Sequence, residues 1–182
     1  MKFRLEKIIT KTGDKGVTLL ADRSVVSKGS EQIMAIGSVD ETNSAIGLLR
    51  HYVTDEDIAE RLITIQHQLL IAGSEMAESN RSKIQERHVE FLENWASDLM
   101  AELEPIADFV LPGGSKSAAH CHIARVTCRR AERYLVASIE QQGKSKPLLM
   151  QYINRLSDIL FLLARVLNKR NNVTEIIVNR NI

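Results

Sequence analysis

The chain has 182 residues, 44% hydrophobic and 26% charged, the profile of a water-soluble globular protein with enough apolar residues for a core. A formal net charge of +1 argues against the broad basic footprint of a nucleic-acid binder, and 4% aromatic content, with Trp95 the single tryptophan, argues against a base-stacking platform. Any anion site must therefore be local. No stretch approaches roughly 18 uninterrupted apolar residues, and MKFRLEKIITKTGDKG lacks an apolar signal core, so no membrane segment is expected and the chain reads as cytoplasmic.

Residues 1–30 show no helical period and are punctuated by Gly13, Gly16 and Gly29. Within them, TKTGDKG at 10–16 has two glycines that permit positive φ, so that consecutive N–H groups can converge on an anion. Thr10, Thr12 and Thr18, with Lys11, Lys15 and Lys28, would add phosphate partners. The spacing is not that of a Walker A loop, and taken alone a Gly-Asp-Lys-Gly stretch also reads as an ordinary turn.

From Gln32 to about Val53 the pattern is helical, with Ile33, Ile36, Val39, Asn43, Ile46 and Val53 near one another; Asp40, Asn43 and Gly47 place polar or small groups on or beside that face. TDED at 54–57 starts a second helix, with Thr54 or Asp55 as N-cap and Leu62, Ile65, Leu69, Ala72 and Met76 inward. SNRSK at 79–83 is a loop. A third helix is expected from about Ile84 to Leu103, with Val89, Leu92, Ala96, Leu99 and Leu103 inward and Pro105 closing it. FVLPGGSKSAA at 109–119 combines a short apolar run, a Pro-Gly-Gly turn and Ser115 as N-cap of a fourth helix. Gln141–Lys146 is a loop, and Pro147 suits the first turn of a fifth helix. That helix carries Leu149, Ile153, Leu156, Leu160, Leu163 and Leu167, with Asn154, Asp158, Phe161 and Arg165 as an adjacent stripe. VTEIIVN at 173–179 is a short strand or a tail. The fold expected is all-α: a five-helix bundle, up-down with left-handed packing and ferritin-like in architecture, behind an irregular N-terminal segment. One domain spans 1–182, divided into 1–30, the bundle at 31–170 and a tail at 171–182.

The fourth helix is the most informative. Ser117, Cys121, Ala124, Cys128, Ala131 and Leu135 make a narrow seam small enough for another helix to approach closely. His122, Arg125, Arg129, Glu132 and Arg133 form a charged face beside it, and three arginines at i, i+4 and i+8 repel one another unless an anion joins them. A buried Asp40 would need a partner, for which Arg129 or Arg133 is suited, and Asn154 could add an amide to the same cleft. A Thr/Gly/Lys loop, an arginine row, an isolated Asp and an isolated Asn together favour a polyphosphate site over a solvated surface.

The two cysteines, Cys121 and Cys128, lie roughly 10 Å apart along a helix, too far for a disulfide, and read as buried reduced thiols. No histidine follows a Glu three residues earlier, His120 and His122 point to different faces, and His67 stands alone. Metal bound directly by protein is therefore not expected, whereas Mg²⁺ carried on a nucleotide is compatible with the chain. No nucleophile–base pair is readable.

TKTGDKG at 10–16, GSVDETNSAIG at 37–47, FVLPGG at 109–114, HIARVTCRRAER at 122–133 and YINRLSDILFLLAR at 152–165 resemble, in order and spacing, the signature blocks of the PduO-type ATP:cob(I)alamin adenosyltransferases. The resemblance implies a five-helix homotrimer with active sites between subunits. Such enzymes transfer the 5′-deoxyadenosyl group of ATP to the cobalt of a reduced corrinoid and release triphosphate. It implies that Thr10, Lys11, Thr12, Gly13, Thr18 and Lys28 hold the triphosphate of MgATP. Arg129, Arg130, Glu132, Arg133 and Asn154 would contact ATP, and Asp40 would pair with Arg129 across the subunit boundary. Phe109 matches the phenylalanine that displaces the corrinoid's lower axial ligand. A reductase partner is implied as the electron source. Ile9, Thr42 and Cys121 depart from common family residues, and none is an implied ligand. Two rivals stay open on the residues: an ATP- or corrinoid-binding delivery module, and a purely structural bundle.

Overall fold

Helix boundaries fall where the chain supplies caps. Ser30 Oγ accepts the Ile33 N–H at 3.4 Å to start α1 (Glu31–His51), and Ser115 Oγ accepts the Ala118 N–H at 3.2 Å to start α4 (Lys116–Gln142). Gly143 closes α4 in the left-handed conformation at φ 59°, and Pro147 opens α5 (Pro147–Arg170). Between these lie α2 (Glu56–Ala77) and α3 (Glu86–Ala101). The computed structural model describes residues 9, 11, 13–78 and 82–181.

Asp55 occupies the N-cap position of α2 without capping it; its carboxylate meets Arg170 at 3.3 Å instead. α3 starts two residues later than its periodicity predicts. Buried Glu75 takes the N–H groups of Lys83 and Ile84, each at 2.7 Å, which binds the chain there to α2 rather than to a helical turn. Gln85 then donates its N–H to His88 Nδ1 at 3.1 Å.

α4 is central. It packs against α1 on one side and α5 on the other, α2 covers α1, and α3 covers α5. The expected seam is buried throughout, at Ser117, Cys121, Ala124, Cys128, Ala131 and Leu135. Its thiols reach the backbone of α5: Cys121 Sγ donates to Leu160 O at 3.1 Å and Cys128 Sγ to Ile153 O at 3.4 Å. On α5, Leu149, Ile153, Leu156, Leu160, Leu163 and Leu167 are all buried, each side chain contributing about 1.5–3 kcal/mol.

Three expectations are corrected. The buried face of α1 is Ala35, Ser38, Val39, Thr42, Ile46 and Leu49, so Ile33, Ile36 and Asn43 sit at its edges, and Val53 lies beyond the helix end at His51. The reason is close approach to α4: small groups bury where backbones come near, and Thr42 Oγ1 satisfies itself on Ser38 O at 2.8 Å. His122 belongs to the buried side of α4 and not to its charged face. The N-terminal segment contains a hairpin, β1 (Val17–Leu19) with β2 (Val25–Ser27), antiparallel with Thr18 opposite Val26. Strands of three residues are too short to show a period; the turn is held by Asp22 Oδ1, which accepts the Ser24 N–H at 2.9 Å, and by Arg23 at φ 68°.

The C-terminal tail forms one antiparallel bridge, Ile177 opposite Val110, between the segment after α5 and the segment before α4. Among the described residues no helix is long and apolar enough to cross a membrane.

Candidate functional site

The residues singled out from the sequence fall in two polar regions and on one exposed ring. The first region is the loop into the hairpin. Lys11 has φ 60° and Gly16 φ 77°, the Gly16 N–H bonds to Gly13 O at 3.2 Å, and the Lys28 N–H bonds to Gly16 O at 2.9 Å. These contacts lay Lys28 back over the glycine loop. A Cβ at Gly13 would stand 2.7 Å from Lys28 Nζ, so glycine is what lets the ammonium rest on the backbone there. Gly13, Val17, Thr18, Leu19 and Val25 line a cleft of about 400 Å³ beside it. Lys11, Gly13, Thr18 and Lys28 thus share one small region. Thr10 and Thr12 lie outside the described residues.

The second region is the outer face of α4. Arg129 and Arg133 are exposed, and Arg133 Nη1 donates to Arg129 O at 3.2 Å. Asn154 on α5 donates through Nδ2 to Glu132 Oε1 at 2.8 Å, so these two expected site residues meet across the α4–α5 groove. No ion pair to Arg129 or Arg133 occurs among the described residues. Burial, then the charge of Arg129, holds the Arg125 guanidinium below its ordinary pKa, which is the repulsion expected along this row. Arg125 Nε in turn donates to His122 Nδ1 at 3.4 Å. Burial first and Arg125 second push His122 down to about 4, leaving it neutral at physiological pH.

Arg130 faces the other way and pairs with Glu41 on α1. Asp40 is exposed and has no ion-pair partner among the described residues, so the burial argument for its pairing does not apply within one chain. It stands at the rim of a cleft of about 380 Å³ between α1 and α2, lined also by Ile36, Val39, Asn43 and Leu70. Among the described residues no hydrogen bond or ion pair joins the 13–28 loop, or Asp40, to the Arg129 face.

The ring is Phe109, 75% exposed at the start of the segment before α4. Its N–H bonds to Asp108 Oδ1 at 2.8 Å, and its carbonyl accepts the Val178 N–H at 2.8 Å. The segment then turns through Gly113 and Gly114 into α4, held by Asn168, a buried amide near the end of α5 that bonds Ser115 N and Gly113 O. Asn168, Glu41 and Arg165 are site-shaping residues that the sequence reading did not single out for these roles. For Asn168 and Arg165 a signal existed: a polar side chain amid the leucine repeat of α5.

Chemically, the arrangement is suited to binding and positioning an anion, and among the described residues it offers no activated nucleophile. Cys121 and Cys128 are fully buried, and burial pushes both thiols above the usual range.

The sequence profile of the cobalamin adenosyltransferase family matches residues 8–167. Over 99% of its length the chain is 45% identical to a cobalamin adenosyltransferase from Cupriavidus metallidurans, covering 98% of that protein. It is 40% identical to a corrinoid adenosyltransferase from Mycobacterium leprae, with 95% of this chain and 97% of that one covered. A solved structure of a phenylalanine-to-histidine variant of the PduO-type ATP:corrinoid adenosyltransferase from Lactobacillus reuteri, complexed with cobalamin and ATP, superposes with a TM-score of 0.87 at 30% identity, covering 96% of this chain and 97% of that one.

Proposed function

The chain belongs to the cobalamin adenosyltransferase family, and on that footing we propose how its own residues move the 5′-deoxyadenosyl group of ATP to the cobalt of cob(I)alamin, giving adenosylcobalamin and triphosphate. Cob(I)alamin is itself a strong nucleophile, so the protein needs no activated side chain. Its tasks are to aim C5′ at cobalt and to stabilise the departing triphosphate with preorganised positive charge.

Lys11, Gly13, Thr18 and Lys28, with Thr10 and Thr12, hold the triphosphate; Arg129, Arg133, Glu132 and Asn154 hold the nucleotide from the α4–α5 groove. Arg130 joins them by exchanging the Glu41 carboxylate, a partly exposed pair worth little in itself, for phosphate. Mg²⁺, brought by the nucleotide, would add its positive charge to that of Lys11 and Lys28 beside the triphosphate. The Phe109 ring lies under the corrin and excludes the lower axial ligand, which makes Co(II) easier to reduce by one electron from a reductase partner.

The observation that carries the assembly is the separation of the two halves on one chain. Among the described residues no hydrogen bond or ion pair joins the loop region to the Arg129 face, and Asp40 and Arg129 are both exposed. Closing Asp40 of one subunit on Arg129 of the next, in a homotrimer, would join them. Two buried free thiols fit a reducing, cytoplasmic setting. The test is complementation. Lys28→Ala and Arg129→Ala chains, each impaired alone, are unfolded, mixed in equal amounts and refolded. Sites built from two chains recover about a quarter of wild-type activity, because a random mixture places both intact halves together that often. No recovery would place each site within one chain.

A further inference from the structure

Among the described residues Phe109 is the most exposed large apolar side chain, yet its backbone is well held, and what holds that backbone comes from far along the chain. The Leu111 N–H bonds to Ile176 O at 2.8 Å and the Val178 N–H to Phe109 O at 2.8 Å, so the C-terminal segment is the hydrogen-bonding partner of the Phe109 segment. A two-residue bridge of this kind has little stability of its own. Its anchor is Arg165 on α5, 8% exposed, whose Nε donates to Glu175 at 3.2 and 3.1 Å and whose Nη2 donates to Glu104 O at 3.0 Å. One guanidinium therefore grips both segments, the tail just before Ile176 and the connection from α3 just before Phe109. A second, exposed pair, Arg180 with Asp108 at 2.7 Å, closes the far end, and the same Asp108 oxygen caps the Phe109 N–H.

A ring that must block one axial position cannot swing. Phe109 meets few side chains within its own chain, so its direction is set by its backbone, and that backbone is set by the tail. We propose that Arg165 is a positioning residue for Phe109: by holding Glu175 and the Glu104 carbonyl together it keeps the C-terminal segment paired to residues 109–111 and so fixes the ring's presentation to the corrinoid. The proposal rests on the role given to Phe109 above. It adds that the tail after α5 serves the reduction step and not the transfer step.

The experiment compares turnover from cob(II)alamin under a reducing system with turnover from pre-reduced cob(I)alamin, in the full-length protein. Val178→Pro removes one donor, the N–H that holds the Phe109 carbonyl, and leaves the Arg165 pair intact. Glu175→Ala releases Arg165 from the tail. Both variants should lose Co(II)-dependent turnover about tenfold more than Co(I)-dependent turnover, the scale of a small misplacement near the reacting centre. Both should also lower the four-coordinate Co(II) signal in electron paramagnetic resonance with ATP bound. Amide exchange at Leu111 should accelerate in Glu175→Ala, a readout independent of turnover. Should Phe109→Ala shift the Co(II)/Co(I) ratio while Val178→Pro and Glu175→Ala do not, Arg165 has no positioning role. Equal loss in both assays for Phe109→Ala overturns the role of the ring and the proposal with it. If Glu175→Ala is too unstable to assay, Glu175→Gln, which keeps the side chain's size and removes the charge that Arg165 holds, decides in its place by the same ratio.

Discussion

Asn168 occupies the space that a side chain at position 114 would need. A Cβ on Gly114 would fall 2.1 Å from Asn168 Oδ1, the oxygen that accepts the Ser115 N–H at 2.8 Å, while Nδ2 donates to Gly113 O at 3.1 Å. Gly114 also sits at φ 105°, where a side chain is strained. The turn into α4 is therefore locked to the end of α5, which fixes the Phe109 segment relative to the arginine helix. Gly114→Ala should destabilise the protein by about 2–4 kcal/mol, the combined scale of backbone strain and a displaced buried amide. Urea unfolding measures it; unchanged stability would show that the clamp contributes nothing.

Arg129→Ala should lower the rate of adenosylation by at least about tenfold, the lower range for losing a donor that stabilises developing negative charge. Steady-state turnover with cob(I)alamin reads this directly, and an unchanged rate would remove Arg129 from the site.

Gly13→Ala tests the loop. The new methyl must push Lys28 Nζ off the backbone, which the flexible end of the side chain permits without unfolding anything. KM for ATP should rise severalfold with the melting temperature unchanged; a lowered melting temperature with unchanged KM would mark the contact as structural only.

His122 sets a pH dependence with a definite sign. Its folded pKa is about 4, below the ordinary 6.5, so the unfolded chain takes up the proton first. Stability is fully present above about pH 6.5 and declines as pH falls toward about 4, by up to one proton from this group. His88 adds in the same direction, because burial and then Arg87 lower it as well. His122→Gln should flatten the profile of melting temperature between pH 7.5 and pH 5 by the His122 share. A profile as steep as the wild type's would assign the dependence elsewhere.

Cys121 and Cys128 should resist a thiol reagent such as dithionitrobenzoate in the native state and react fully only on unfolding, since both are buried and their thiols are held protonated. Fast labelling of either would contradict the packing of α4 on α5.

The helices and the seam of α4 were legible because long amphipathic periods and caps are local signals: Ser115, Gly143 and Pro147 mark boundaries by chemistry that acts within a turn. The hairpin at 17–27 was not, since strands of three residues carry no period and depend on the Asp22 turn. The inward face of α1 was misjudged by weighing apolar size, whereas close approach to α4 selects Ala35, Ser38 and Thr42. Within the site, the residue types were readable and their partners were not. The pairing of Asp40 with Arg129 or Arg133 was argued on the condition that Asp40 is buried, and within one chain it is exposed; its neighbour Glu41 is the one that meets α4, through Arg130.

Composition, periodicity and the order of its motifs determine, from the sequence alone, that this chain is a helical bundle carrying a glycine-lysine loop, an arginine row and an isolated phenylalanine. Those are properties of residue type and spacing, which a linear chain displays. Which side of α4 each arginine faces, what holds Phe109, and why position 114 must be glycine were decided only by tertiary structure. Each depends on residues more than fifty positions apart meeting at hydrogen-bond distance, as Asn168 does with Ser115 and Val178 with Phe109, and no local pattern encodes such a meeting.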